Sequence, residues 1–148
     1  MIVLASGANT RYLTLSEKAT LSTPVYVFVF ENNQTKTKVM CTTSDTSVDS
    51  EGSARRNKFV FTVQASPTWT SGQILPPNYG DYTYYAYEVS TVVGLVYATI
   101  IAADLRTYVP TYFTTLVETG QMKYAEPATT DKQYLDTASQ TKAYEPTI

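Results

Sequence analysis

The pattern of hydrophobic and polar positions in this chain is organised around residues 78–89, Asn-Tyr-Gly-Asp-Tyr-Thr-Tyr-Tyr-Ala-Tyr-Glu-Val. Turn-forming residues open the stretch, and aromatic and β-branched residues, which favour strands, follow. Because side chains alternate between the two faces of a strand, Tyr82, Tyr84 and Ala86 share one face. The opposite face then carries Asp81, Thr83, Tyr85, Tyr87 and Val89. We predict a central β-strand here.

The start of this strand has the spacing Asn-x-Gly-x-Tyr-x-Tyr. In immunoglobulin-like sandwiches, a tyrosine two residues before the inter-sheet cysteine hydrogen-bonds back to the corner that precedes it. Tyr82 would be that corner tyrosine, and Tyr84 stands where the cysteine would be. The alternative is a tyrosine-rich central strand without such a corner.

Further strands follow from the hydrophobic pattern on the N-terminal side. Residues 25–30, Val-Tyr-Val-Phe-Val-Phe, are apolar on both faces. Such a strand is covered on both sides of its sheet, or its second face contacts another protein. The polar turn 31–34 and a returning strand at 36–42 complete a predicted hairpin. Residues 11–15 are predicted to form a first strand, with Leu13 and Leu15 on one face.

The rest of the chain is less uniform. Residues 59–63 form a predicted strand, and residues 67–79 a loop rich in Gly and Pro that holds Trp69. A loop tryptophan either folds over the end of a sandwich or anchors an interface. Residues 90–113 fit either a strand pair or a short helix, in an insertion. The last strand is predicted at 115–124, with Gly120 marking a bulge or bend.

These elements predict an all-β, immunoglobulin-like β-sandwich of about seven strands in residues 1–124, with an insertion at about 90–113. The side chains predicted to be buried between the sheets are Leu15, Phe28, Phe59, Phe61 and Tyr84.

Residues 125–148 differ in composition from the rest of the chain. They hold few aliphatic residues and much Thr, Lys, Gln, Asp and Pro, which cannot bury enough apolar surface to fold alone. We predict an extended C-terminal arm, with Tyr134, Leu135, Tyr144 and Ile148 as apolar anchors. The arm either fills pockets of a neighbouring subunit or returns along its own sandwich.

Composition restricts the chemistry. The 148 residues carry a net charge of −2 and no histidine, the usual general base and commonest metal ligand. Cys41 is the single cysteine and is predicted to be a small buried hydrophobe. Residues 45–56 resemble a calcium loop in their alternating oxygens, but Ser50 and Arg56 occupy positions that need Gly and Glu. We therefore predict no enzymatic activity, no cofactor and no metal site.

Clustered Lys and Arg, as in a nucleic-acid groove, are not seen. The longest apolar stretch, 92–103, is interrupted by Gly94 and Tyr97 and is too short to span a membrane. We therefore expect no nucleic-acid and no membrane partner.

Five segments of the chain together resemble small virion proteins of tailed phages, especially crAss-like and related phages of Bacteroidetes. These segments are residues 14–30, 45–47, 56–59, 84–88 and 117–120. The pattern is also loosely similar to immunoglobulin-like N-terminal domains of phage baseplate proteins. The resemblance covers about the middle four-fifths of the chain. It implies a non-enzymatic protein, present in many copies in a virion assembled in the host cytoplasm.

On that resemblance, the expected function is that of an auxiliary or decoration protein bound to the major capsid protein or to other virion proteins. A baseplate, tail or portal-collar component is the first alternative. A carbohydrate-binding sandwich that uses Trp69 and tyrosines as stacking platforms is the second.

Overall fold

The structure is a computed structural model that describes residues 1–21, 24–46, 56–91, 95–102 and 115–127. Within these ranges the elements are β1 (Ile2–Leu4), β2 (Gly7–Leu13), β3 (Val25–Asn32), β4 (Lys38–Thr43), β5 (Asn57–Val63), a 3₁₀ helix (Trp69–Ser71), β6 (Gln73–Ile74), β7 (Gly80–Val89), α1 (Tyr97–Ala102) and β8 (Thr115–Tyr124).

The strands form two sheets that pack as a sandwich, which confirms the predicted all-β class. One sheet has five strands in the order β1-β8-β7-β3-β4, and the other has three in the order β2-β5-β6. The segment β8-β7-β3-β4 is antiparallel throughout, whereas β1 runs parallel to β8 and β6 parallel to β5. The more specific immunoglobulin-like assignment stays an interpretation.

The main core lies between the two sheets and contains all five side chains predicted to be buried. Phe28 of β3 is at its centre. Its ring meets Phe59 and Phe61 of β5 edge-on, at centroid separations of 5.2 and 4.9 Å. Edge-to-face contacts of this kind are the favoured geometry for aromatic rings. The regular alternation of β5 therefore delivers its apolar face to the opposite sheet.

The second face of the five-stranded sheet is also covered. A separate cluster joins Val27, Val29, Met40, Tyr85, Tyr87 and Val89 with Ile100 of α1. Of the two explanations offered for the apolar strand β3, covering of both faces is thus the one found. Helix α1 also decides between the two alternatives for residues 97–102, although residues 92–94 and 103–114 lie outside the described part of the chain.

The corner hydrogen bond predicted for Tyr82 is present. Its hydroxyl donates to the carbonyl oxygen of Asn78 at 2.6 Å, and the Asn78 amide lies 3.3 Å from the same hydroxyl. Tyr84, two residues on, points into the main core and its hydroxyl donates to Glu118. The alternation predicted for this strand is likewise confirmed, since Tyr85 and Tyr87 face the other cluster.

Several predicted boundaries are wrong. The first strand of the second sheet is Gly7–Leu13 and not 11–15, and an additional strand, Ile2–Leu4, precedes it. The chain changes sheets at Gly7, which has a φ of 91° and so takes a conformation that suits glycine. The returning hairpin strand is Lys38–Thr43, because Lys36 adopts a left-handed conformation with a φ of 63° and belongs to the turn.

The predicted bulge at Gly120 is also misplaced. Gly120 pairs in register with Tyr84, and the irregularity lies where Ala86 opposes Glu118 but Tyr87 opposes Leu116. Val117 is therefore the extra residue in β8. Gly120 is needed for another reason, because a Cβ atom there would lie 2.7 Å from Cε1 of Tyr84.

Candidate interaction surface

An apolar groove opens beside β4, the strand that ends the five-stranded sheet. It has a volume of about 410 Å³ and is called the aromatic groove below. Its lining residues are Val39, Met40, Pro67, Trp69, Gln73, Ile74, Leu75 and Tyr97. The groove therefore joins the β4 edge to the 3₁₀ helix, β6 and α1.

Local sequence fixes the turn that presents Trp69. The amide of Ser71 donates to the Thr68 carbonyl at 3.0 Å, and Gly72 then closes the turn with a φ of 72°. A Cβ atom on Gly72 would meet the Val60 carbonyl oxygen at 2.9 Å. Glycine is thus required both for the left-handed conformation and for the close approach to β5.

Gln73 braces the same turn from within. Its Oε1 atom accepts hydrogen bonds from Nε2 of Gln64 at 2.6 Å and from the Thr68 amide at 2.7 Å. The side-chain oxygen of the one amide residue lining the groove is therefore used inside the protein. What the groove offers an incoming ligand is mainly apolar and aromatic surface.

Two aromatic rings form one wall of the aromatic groove. Trp69 and Tyr97 have ring centroids 5.8 Å apart with the planes inclined at 51°. Both side chains are half-buried against the cluster on the second face of the five-stranded sheet, whereas Leu75 is 42% exposed. Trp69 is thus folded over the sandwich and still presents part of its ring, so both predicted roles are compatible with its position.

Tyr97 also interacts with strand β4. Burial raises the pKa of its hydroxyl, a hydrogen bond with the backbone of Met40 opposes that rise, and the neighbouring Cys41 adds to it. The tyrosine hydroxyl therefore lies beside the backbone of β4 at Met40.

Two carboxylates, one buried and one partly exposed, hold other loops in place. Glu88 of β7 is 0% exposed and accepts hydrogen bonds from the amides of Thr20, at 2.9 Å, and Leu21, at 3.2 Å. Burial tends to raise the pKa of Glu88, but the hydrogen bonds from Thr20 and Leu21 outweigh it, so the pKa lies below its ordinary value. The ionised Glu88 side chain therefore fixes the 19–21 loop to the sheet through these hydrogen bonds.

Glu118 forms the second carboxylate centre. Lys18 donates to it at 2.8 Å, and the Tyr84 hydroxyl donates to its other oxygen. Burial opposes ionisation here as well, yet the bonds from Lys18 and Tyr84 lower the pKa of Glu118 below its usual range. The same burial and hydrogen bond raise the pKa of Tyr84. Glu118, Lys18 and Tyr84 are thus hydrogen-bonded to one another, and their role is structural.

The remaining chemical predictions concern Cys41, the loop at 45–56, metal binding and membrane spans. Cys41 is fully buried, and burial raises the pKa of its thiol. Asp45, from the loop compared with a calcium site, accepts hydrogen bonds from Asn57 and from the Lys58 amide, each at 2.8 Å. In the described ranges no group of three or more Cys, Asp or Glu is placed to hold a metal ion. None of the helices described is long and apolar enough to cross a membrane.

Of the predicted partner-binding residues, Trp69 alone lies in the described part of the chain, and it lines the aromatic groove. Tyr134, Leu135, Tyr144 and Ile148 lie outside the described residues. The sequence interpretation missed the other groove residues. The Ile-Leu pair at 74–75 inside a Gly- and Pro-rich loop was the signal that could have drawn attention to them.

Comparison of the chain with known protein families, with curated proteins and with solved structures found no match.

Proposed function

We propose that this protein is a non-enzymatic structural component of a phage virion, an auxiliary or decoration protein bound to the capsid shell. The observation that carries the proposal is the aromatic groove. Trp69, Tyr97 and Leu75 offer a protein partner the large, rigid apolar contacts that dominate stable interfaces. The resemblance of the strand pattern to small virion proteins favours another virion protein as this partner.

The sandwich itself suits such a role. Its two sheets enclose a core of aromatic rings, and both faces of the five-stranded sheet are packed. Exposed aromatic side chains remain, with Tyr12 and Tyr79 each 48% exposed. Tyrosine contributes contact area at a small entropic cost because it has few rotatable bonds. A rigid body with aromatic contacts can bind to a lattice without refolding.

The test is to locate and count the protein in purified particles of the phage that encodes this sequence. Quantitative mass spectrometry against the major capsid protein gives the number of copies, and gold-labelled antibody gives their position. We expect hundreds of copies distributed over the capsid shell. Absence from particles that contain all other virion proteins would refute the structural role.

The copy number also separates the first alternative from the main proposal. A dozen copies or fewer, with label at one vertex or on the tail, would identify a baseplate, tail or portal-collar component.

A carbohydrate-binding function has one observation in its favour, the exposed part of the Trp69 ring beside Tyr97. Sugar sites combine such a platform with several polar groups placed for specificity. Gln73 is the polar side chain lining the groove, and its carbonyl oxygen is already bonded. A glycan array would show binding abolished by Trp69→Ala if this alternative were right.

A further inference from the structure

We propose that the aromatic groove binds the C-terminal segment 128–148 of a neighbouring copy of this chain, with Tyr134 and Leu135 as the apolar anchor. This inference rests on the proposed structural function and names one of its contacts. It concerns the way in which one copy holds the next.

The chemistry of the groove selects the kind of occupant. Among the described residues that line the groove, Gln73 is the one amide, and the others are apolar or aromatic. The groove therefore suits an apolar or aromatic side chain. Its volume of about 410 Å³ is within the range of pockets that enclose a compact ligand, roughly 300–1,000 Å³.

The chain carries a segment of this kind. Residues 128–133 are Ala-Thr-Thr-Asp-Lys-Gln, and the adjacent Tyr134 and Leu135 are the first large apolar residues after Tyr124. A polar linker followed by an aromatic–aliphatic pair is suited to anchoring in a preformed apolar recess. Tyr144 offers a second anchor further along the same segment.

The topology places the start of this segment and the groove at opposite edges of one sheet. Strand β8 is followed by Ala125, whose amide donates to the Leu4 carbonyl at 2.8 Å, so the chain leaves alongside β1. Strand β1 is one edge of the five-stranded sheet and β4, beside the groove, is the other. The donor and acceptor surfaces of one copy are therefore different.

The distance within one copy can be estimated from the strand register. Val39 is level with Gly120 across the sheet, four residues from Tyr124. Three strand spacings and four residues of rise together give about 20 Å through the sheet. Ten extended residues span at most about 36 Å. A segment returning to its own groove would need to detour around a sheet whose faces are both packed.

A neighbouring copy removes this detour. If the β4 edge of one copy faces the β1 edge of the next, the emerging segment lies close to the acceptor groove. Because the two contact surfaces differ, this exchange is head-to-tail and produces a ring or an open array. Such a contact is suited to a protein that covers a repeating shell.

The experiment uses two full-length variants with complementary defects. Tyr134→Ser/Leu135→Ser removes the anchor but keeps the groove, and Trp69→Ala removes the groove but keeps the anchor. Light scattering after size-exclusion chromatography measures the mass of the parent, of each variant and of their equimolar mixture. Leu75→Ser is a second groove variant, because Leu75 is 42% exposed and can be replaced without opening the core.

We expect the parent to exceed the mass of one chain as its concentration rises, and each variant to stay at one chain. The mixture should give a complex of two chains, because it contains one intact groove and one intact anchor per pair. Leu116→Ser, which changes a 39% exposed side chain on β8 outside the groove, should behave as the parent.

Three results would overturn the inference: a parent of one chain at all concentrations, an anchor variant that still assembles, or folded variants that do not combine. A parent of one chain whose segment is protected from protease only when Trp69 is present would show that the segment occupies its own groove. Particle composition is measured separately. A protein found in particles but unable to self-associate refutes this inference alone, and self-association without incorporation refutes the proposed function.

Discussion

Replacement of Gly120 by alanine tests the cross-strand packing in the centre of the five-stranded sheet. Gly120 of β8 lies opposite Tyr84 of β7, and its missing side chain leaves room for the tyrosine ring. A Cβ atom would lie 2.7 Å from Cε1 and 2.8 Å from both Cζ and the hydroxyl oxygen of Tyr84. These separations are far inside van der Waals contact, so the ring must move.

The surroundings of Tyr84 make that movement costly. Its hydroxyl is held by Glu118, and its backbone carbonyl accepts a hydrogen bond from Thr119 Oγ1 at 3.1 Å. Its ring also packs in the main core, 6.5 Å from the Phe28 ring. Moving the ring therefore strains the core or breaks the hydrogen bond to a carboxylate.

The expected magnitude combines two opposed effects. A glycine-to-alanine change within a strand should stabilise by roughly 0.5–1 kcal/mol through backbone entropy. Overpacking a core costs roughly 1–3 kcal/mol, and loss of a hydrogen bond to a charged group costs about 1.5–3 kcal/mol. Because either cost exceeds the gain, we expect a net loss of about 0.5–2.5 kcal/mol in the free energy of unfolding of Gly120→Ala.

Equilibrium denaturation in urea provides the measurement, and Tyr84→Leu provides the matched control. In the Tyr84→Leu background the ring is absent, so the added methyl group should be neutral or stabilising. The double-mutant cycle isolates this coupling because the two residues are in direct contact. If Gly120→Ala were as stable as the parent, or equally destabilising in both backgrounds, the proposed ring-over-glycine packing would be refuted.

Three further predictions follow from single buried side chains. Phe61→Ala should lower the free energy of unfolding by roughly 3–5 kcal/mol, because it removes a ring that packs against Phe28, and calorimetry showing the parent Tm would contradict this. Glu88 has a folded pKa below its unfolded value of about 4.3, so its stabilisation is present above that pH and is lost as the pH falls through the folded pKa. In urea titrations, the free energy of unfolding should therefore fall more steeply with decreasing pH in the parent than in Glu88→Gln. Parallel pH profiles would exclude this stabilising role of the Glu88 carboxylate. The Cys41 thiol should react with a disulfide reagent at about pH 8 only as fast as the protein unfolds, whereas rapid stoichiometric labelling of folded protein would contradict its burial.

The alternation of side chains was enough to predict the faces of the long strands. Phe59, Phe61 and Val63 fall on one face because strand geometry alone requires it, and a strand apolar on both faces must be covered twice. The hydrogen bond of Tyr82 was also predictable, since it joins residues only four positions apart. Local periodicity and short-range spacing carry this information in full.

The short elements could not be predicted in the same way. Strand β1 has three residues and β6 has two, so neither contains a readable period. Each exists because a distant strand supplies hydrogen bonds, β8 for β1 and β5 for β6. The role of Gly120 likewise depends on the register with Tyr84, which the sequence around Gly120 does not encode.

The candidate site shows the same division. The sequence by itself determined that Trp69 lies in a Gly- and Pro-rich loop as a possible anchor, and that the chain supplies apolar side chains in a polar C-terminal segment. Only the tertiary structure brought Met40, Trp69, Leu75 and Tyr97 into one groove, because these residues come from three separate parts of the chain. Which surfaces meet is set by sheet order and packing, and those depend on contacts between residues far apart in sequence.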